Sequence, residues 1–182
     1  MAPGKKSAGA DVKRGDYQEV LAVFGFGGGE IGVRMMFQLV EISGANLFLL
    51  QDLASEATCN GYHFVQRTIA EWNSGLNQFS GPGEVLWVLQ SGADVIGMGG
   101  LNRDPYLDDA HIGRVRHLYI REAYRRQGYA SFLMRHILFR ARAHFTALRL
   151  FTDNPDAAEF YEGMGFARVE GERVSHEVGL LF

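Results

Sequence analysis

Apolar positions along this chain change period several times, and each change marks an element. From Phe37 to Ile42 apolar and polar residues alternate, which predicts a half-buried strand ended by Ser43-Gly44. Behind Asn46, read as an N-cap, Leu49, Leu50, Leu53 and Ala57 recur at helical spacing and predict a helix from Leu47. Helical spacing returns over Gly61 to Leu76, where Phe64, Val65, Thr68, Ile69 and Trp72 form one stripe and Gly75 and Asn77 mark the stop. Glu84 to Gln90 and Asp94 to Leu101 read as strands, and Ser91-Gly92-Ala93 between them predicts an antiparallel hairpin. A loop from Asn102 to His111 precedes a strand over Val115 to Ile120. The longest helical pattern, Gly128 to His144, puts Ala130, Leu133, Met134, Ile137, Leu138 and Ala141 on one face, with Arg135, Arg140 and Arg142 mostly off it. Ala147 to Phe151 predicts another strand, and Asn154 caps a short helix with Pro155 at its first position and Gly163 and Gly165 at its close. Phe166 to Val169 and Ser175 to Leu181 predict a final antiparallel pair around Gly171.

Strands outnumber helices in this trace, and the strand-helix-strand unit centred on Gly128 to His144 requires a parallel pair inside a mixed sheet. The prediction is an α/β domain whose sheet is mostly antiparallel. A chain of 182 residues, 47% hydrophobic and 21% charged, suffices for one domain with a sizeable core, and no internal repeat is visible. That domain is expected to span residues 36–182. Residues 1–35 read as an N-terminal extension, flexible or a non-native start: Met1 to Arg14 is small, polar and basic, and Met35-Met36 offers an internal start. Inside the extension Val20 to Phe24 is apolar, and Gly27, Gly29 and Gly32 satisfy G-x-G-x-x-G with Asp52 further on. A dinucleotide site would need the acidic residue at the end of a second parallel strand. Asp52 instead falls in a helical pattern, so the glycines are read as a linker.

Charge narrows the partners. Lys and Arg number 18 against 21 Asp and Glu, a net −3, so the basic excess that nucleic-acid binders show is missing and no such partner is expected. The single cysteine, Cys59, cannot form an internal disulfide and reads as a small packed residue. With no signal peptide or long apolar span, the expected location is cytoplasmic and no membrane partner is expected, while a homodimer is compatible. His111, His117 and His176 lack metal-ligand spacing, and no nucleophile elbow is present, which disfavours metal and covalent mechanisms.

Two segments carry chemistry. Arg125-Arg126-Gln127-Gly128-Tyr129-Ala130 lies between a predicted strand and the long helix. N–H groups in the first turn of a helix lack intrahelical partners and sit at the positive end of its dipole, and glycine lets an anion approach the main chain. Downstream, Leu148 to Phe151 leads into Asn154-Pro155 and then Phe160-Tyr161-Glu162-Gly163-Met164-Gly165-Phe166. In this order the two segments resemble the GCN5-related N-acetyltransferase (GNAT) family. The first matches its acyl-CoA pyrophosphate loop, Arg/Gln-x-x-Gly-x-Gly/Ala, and the second its later strand, asparagine and Phe-Tyr-x-x-x-Gly-Phe helix. The resemblance spans roughly Met36 to Phe182 and is thin before Glu84.

The resemblance implies helices on both faces of the sheet, two central parallel strands that splay, and acetyl-CoA as cofactor with its pantetheine arm in the cleft. The implied activity is transfer of an acetyl group from acetyl-CoA to a primary amine, of a small molecule or peptide, by direct attack in a ternary complex. Cofactor candidates are Arg125, Arg126, Gln127, Gly128, Tyr129 and Ala130 for the phosphates, the main chain of Leu118, Tyr119 and Ile120 for the pantetheine amides, then Asn154 and Tyr161. Tyr161 is the candidate general acid, since a phenol with an ordinary pKa near ~10 stays protonated and can donate to a thiolate. It lies seven residues after Asn154, close to two helical turns, so both can face one cleft. His117 is a candidate base, with Glu56, Asp104, Asp108, Asp109 or a water relay as alternatives. The acceptor pocket is expected from Glu56, Tyr62, Phe64, Asp104, Tyr106, Asp108 and Asp109, an acidic and aromatic set suited to a cationic amine. The alternative is a non-catalytic acyl-CoA-binding regulatory module, which would keep the loop and lose the acid; Tyr161 argues against it.

Overall fold

The computed structural model describes residues 17–21 and 36–180. Eight strands form one sheet: β1 (Tyr17–Leu21), β2 (Met36–Glu41), β3 (Val85–Ser91), β4 (Asp94–Arg103), β5 (Ile112–Ile120), β6 (Ala147–Leu150), β7 (Ala167–Gly171) and β8 (Val174–Gly179). Their order is β1-β2-β3-β4-β5-β6-β8-β7, and every neighbouring pair is antiparallel except β5 with β6. The mixed, mostly antiparallel sheet with a central parallel unit is therefore present. β1 lies upstream of the boundary expected at residue 36 and pairs with β2, Tyr17 opposite Val40 and Leu21 opposite Met36. The glycines at 27, 29 and 32 lie outside the described residues, while Asp52 is in a helix.

Among the described residues four α-helices follow the expected periodicities: α1 (Leu50–Cys59), entered through a 3-10 turn at Leu47–Leu49, α2 (Phe64–Ser74), α3 (Tyr129–Arg142) and α4 (Pro155–Gly163). Asn46 does not cap the first of them. Its Oδ1 accepts from the N–H of Ser43 at 2.6 Å and its Nδ2 donates to the carbonyl of Glu41 at 2.9 Å, so it locks the turn after β2 instead. Cys59 is another correction: it is exposed at the end of α1 rather than packed. Among the described residues no helix is long and apolar enough to cross a membrane.

The sheet is covered on both faces. On one, α1 and α2 bury Leu50, Leu53, Val65 and Trp72 against Val40, Val88, Met98 and Tyr119. On the other, Met134, Ile137 and Ala141 of α3 pack with Val85, Leu101 and Val115, and Tyr161 of α4 joins the same cluster. Burial of aliphatic side chains at roughly 1.5–3 kcal/mol each makes these layers the main source of stability.

Two departures from a regular sheet shape the site. β5 is registered against β6 only at its start, Ile112, Gly113 and Arg114 opposite Ala147, Leu148 and Arg149, and then continues to Ile120 with β4 alone. The strands approach closely at the paired end, where a Cβ on Gly113 would sit 2.6 Å from Leu148 Cδ2. Beyond it they splay. Secondly, β5 bulges against β4: Met98 faces Tyr119 and Gly100 faces Arg116, so Gly99 opposes both His117 and Leu118, and His117 takes φ +57°. The extra residue resets the alternation. Val115, Leu118 and Ile120 point to the α3 side, whereas Arg116, His117 and Tyr119 meet α1 and α2.

Candidate active site

A cleft of about 1000 Å³ opens where β5 and β6 diverge. Leu118, Tyr119 and Ile120 line its β5 wall, Asn154 and Tyr161 its α4 wall, and Arg125, Arg126, Gly128, Tyr129 and Ala130 its entrance to α3. The structure thus brings every expected cofactor residue to one cleft, except that Gln127 does not line it. The Gln127 side chain turns back and donates to the Ala123 carbonyl at 3.0 Å, leaving its main chain to the loop.

Backbone conformation gives the loop features suited to an anion. Arg126 has φ +61° and Gly128 φ +86°, the left-handed conformation that recurs in loops whose successive N–H groups bind anions. The N–H groups of Arg126, Gln127 and Gly128 have no acceptor among the described residues. Exposed at the head of a 14-residue helix, they suit a pyrophosphate. The two arginines divide their work. Arg125 donates from Nε to the Ile120 carbonyl at 3.0 Å and lies over the Tyr119 ring, 5.5 Å from its centroid, so it anchors the loop to β5. Arg126 is exposed at the cleft.

On α4, Asn154 Oδ1 accepts from the N–H groups of Asp156 at 2.9 Å and Ala157 at 3.3 Å, with Pro155 at the first helical position. Tyr161 is clamped between the rings of Phe160 and Phe166, with centroids at 5.2 and 5.8 Å. Burial pushes its phenol pKa well above the ordinary 10.0, and the hydroxyl has no protein partner among the described residues. A protonated, unengaged phenol lining the cleft can give its proton to a ligand.

His117 stacks on Phe64, 5.8 Å between centroids and 19° between planes, and its Nε2 is buried without a hydrogen-bond partner. Burial, and then the positive charges of Arg116 and Arg67, push its pKa down to about 3. The imidazole is therefore neutral near pH 7 and a far weaker base than a histidine at the ordinary 6.5. A measurable consequence concerns stability. The unfolded histidine takes up its proton near the ordinary value and the folded one only near 3, so folding loses stability as pH falls through this window and none above it. His117→Asn, which tolerates the positive φ, should show a smaller drop in Tm than the parent between about pH 7 and about pH 4. An equal drop in both proteins would show that the ring is not held neutral.

The expected acidic acceptor pocket is not what the structure contains. Glu56 turns away from the cleft to Arg121, 2.6 Å from its Nε, and to the N–H of Glu122 at 2.9 Å. Burial raises its carboxyl pKa, but these hydrogen bonds outweigh burial and hold it below the usual value. Asp104 is fully buried and paired with Arg114 at 3.3 Å. Asp108 makes an exposed pair with Arg103, and Asp109 accepts from the N–H of His111. Only the aromatic members, Tyr62, Phe64 and Tyr106, reach the cleft. Arg67, Arg114 and Arg116 line it in place of the carboxylates. Sequence reasoning missed these three, because no local pattern shows that α2 and β5 border one cleft, and for Arg116 the alternation is also reset next to it at His117.

The sequence profile of the acetyltransferase (GNAT) family matches residues 48–166, a span that includes the loop, the cleft strand and α4. The chain belongs to the GNAT family. Solved GNAT-type structures agree with this fold. A protein from Exiguobacterium sp. 255-15 described as an acetyltransferase is 25% identical, with a TM-score of 0.67 over 79% of this chain and 93% of that one. The GNAT domain of S. lividans PAT is 15% identical, with a TM-score of 0.67 over 93% of this chain and 100% of that one. The ribosomal-protein-S18-alanine N-acetyltransferase of Escherichia coli is 13% identical, with a TM-score of 0.61 over 81% and 96%. No curated protein matches the chain. GNAT proteins are acetyltransferases, and the unpaired N–H groups at the head of α3 fit the acyl-CoA that such a reaction uses.

Proposed function

We propose that this GNAT protein transfers the acetyl group of acetyl-CoA to an amine, with both bound in the cleft and no covalent enzyme intermediate. The observation that carries this reading is the convergence of an anion cradle at Arg126–Gly128 and the protonated Tyr161 on one cleft. Acetyl-CoA supplies an activated thioester. The loop's main chain holds its phosphates, the backbone of Leu118 to Ile120 orients its amides along the open side of β5, and the Tyr161 hydroxyl provides the proton that the departing sulfur needs. Direct attack is supported by the position of Cys59, which is exposed on α1 and does not line the cleft.

Among the described residues no carboxylate of the α1–α2 side lines the cleft, and His117 is a weak base, so we assign the amine's proton to water rather than to a side chain. The same reading takes residues 36–182 as the acetyltransferase domain, with β1 added to its edge, and a reducing cytoplasm as its setting, where the exposed thiol of Cys59 stays free.

Thiol release from acetyl-CoA against an amine panel, run beside calorimetric acetyl-CoA binding, tests the proposal. Turnover on an amine is expected; binding with no turnover on any amine would favour a non-catalytic acyl-CoA-binding module. Replacement of Gly128 by Val should weaken acetyl-CoA binding at least about 10-fold, because the side chain projects where the phosphates meet the helix and valine resists the +86° φ. Parental affinity in a folded Gly128→Val protein would show that the phosphates bind elsewhere.

A further inference from the structure

We propose that the acetyl acceptor is an amine that also carries an anionic oxyacid group, a carboxylate or a phosphate, held by Arg67 of α2 and Arg116 of β5. The inference rests on the acetyl-transfer reading and narrows its substrate class. Its starting point is the charge of the cleft. Five arginines line it, Arg67, Arg114, Arg116, Arg125 and Arg126, against two carboxylates, Asp153 and Asp156. Three of the five are accounted for. Arg114 is buried, bound to Asp104 and to the Arg173 carbonyl at 2.6 Å; Arg125 anchors the loop; Arg126 belongs to the phosphate cradle.

Arg67 and Arg116 remain. Arg67 is exposed and has no carboxylate partner among the described residues. Among the described residues Arg116 has only Glu71 as an acidic partner, at 3.8 Å, a separation beyond hydrogen-bond reach. Arg116 approaches Glu71, one helical turn from Arg67 on α2, and both arginines line the cleft with His117, whose protonation they oppose. The buried Nε2 of His117 has no hydrogen-bond partner among the described residues, and His117 lines the same cleft. Tyr62 and Phe64 wall it on the α1–α2 side, where the bulge aims Arg116 and His117. The two aspartates are on α4 and the loop before it, across the cleft. An acceptor with a second cationic group would meet like charge here, whereas an oxyacid meets two planar forks suited to it.

Matched amines that differ only in the acid test this: phenylalanine against phenethylamine for a carboxylate, phosphoethanolamine against ethanolamine for a phosphate. The acid-bearing member of a pair should have the higher kcat/KM, by on the order of 10- to 100-fold, and the pair that shows it identifies the oxyacid. Arg67→Gln and Arg116→Gln should each reduce that ratio, and Arg67→Lys should restore part of it, since charge returns without the fork. Equal or better rates for the uncharged members overturn the proposal. So does an intact ratio with weakened acetyl-CoA affinity in Arg67→Gln, which would assign the arginines to the cofactor. If acetyl-CoA binds and no amine is turned over, the acetyl-transfer reading fails. Equilibrium dialysis of the same pairs against CoA-saturated protein then decides the inference: preference for the acid that Arg67→Gln abolishes sustains it, and equal binding of both members overturns it.

Discussion

Tyr161→Phe is expected to lower kcat by roughly 10²–10⁴-fold while acetyl-CoA affinity stays near the parental value. The substitution removes one hydroxyl and almost no volume, so the aromatic clamp of Phe160 and Phe166 around the ring persists. The lower end of the range is favoured because a thiolate leaves tolerably well unassisted and water can enter the space of the hydroxyl. Burial raises the phenol pKa above 10.0, so the acid remains protonated across the neutral range and the parent should show no loss of rate from Tyr161 ionisation on its alkaline side below that value. Single-turnover rates that coincide for mutant and parent across pH would reduce Tyr161 to a packing residue.

Asp104→Ala is expected to destabilise the fold by about 3–5 kcal/mol. Its carboxylate is fully buried and meets a guanidinium that is only 7% exposed, so truncation strands the Arg114 charge away from water. It also accepts from the N–H of Tyr106 at 3.0 Å, and so shapes the loop that carries the Tyr106 ring under the guanidiniums of Arg114 and Arg173, 4.8 Å from each. Urea unfolding reads the loss directly. Replacing Asp104 and Arg114 together by Leu and Met should cost less than the single truncation, because no lone charge is left behind. A midpoint unchanged by Asp104→Ala would mean that water already reaches the pair.

The sheet was legible because its strands alternate and its turns contain glycine, and the loop because a strand, two arginines, a glycine and a helix stand in one order. Asn154 and Pro155 were legible for the same local reason: a cap needs only its own helix. What failed to show depended on distant partners. Glu56 and Asp104 looked like a pocket for a cation, but each had already met an arginine, at positions 121 and 114, that no spacing rule connects to it. β5 begins three residues before the expected Val115, because Arg114, polar by type, is buried there. The bulge at His117 was invisible, since a non-glycine residue with positive φ carries no local sign, and its effect was to swap which side chains face α2. The basic character of the acceptor side comes from Arg116 beside that bulge together with Arg67 of α2, two positions that no local pattern joins.

The parting of β5 from β6 leaves a strand edge in the middle of a sheet rather than at its rim. Past Arg114, one side of β5 is hydrogen-bonded to β4, while the other faces the cleft. Such an edge is ordinarily a template for another strand. Here Arg125 covers the Ile120 carbonyl at its far end, and the narrow approach past Gly113 closes the near end. Between these ends β5 offers an open edge to a chain that carries its own amide groups. On the proposed reading, acetyl-CoA binding is a form of sheet completion: the cofactor would take the place of a missing strand, and the order it lent to the backbone would be of the kind one strand lends another.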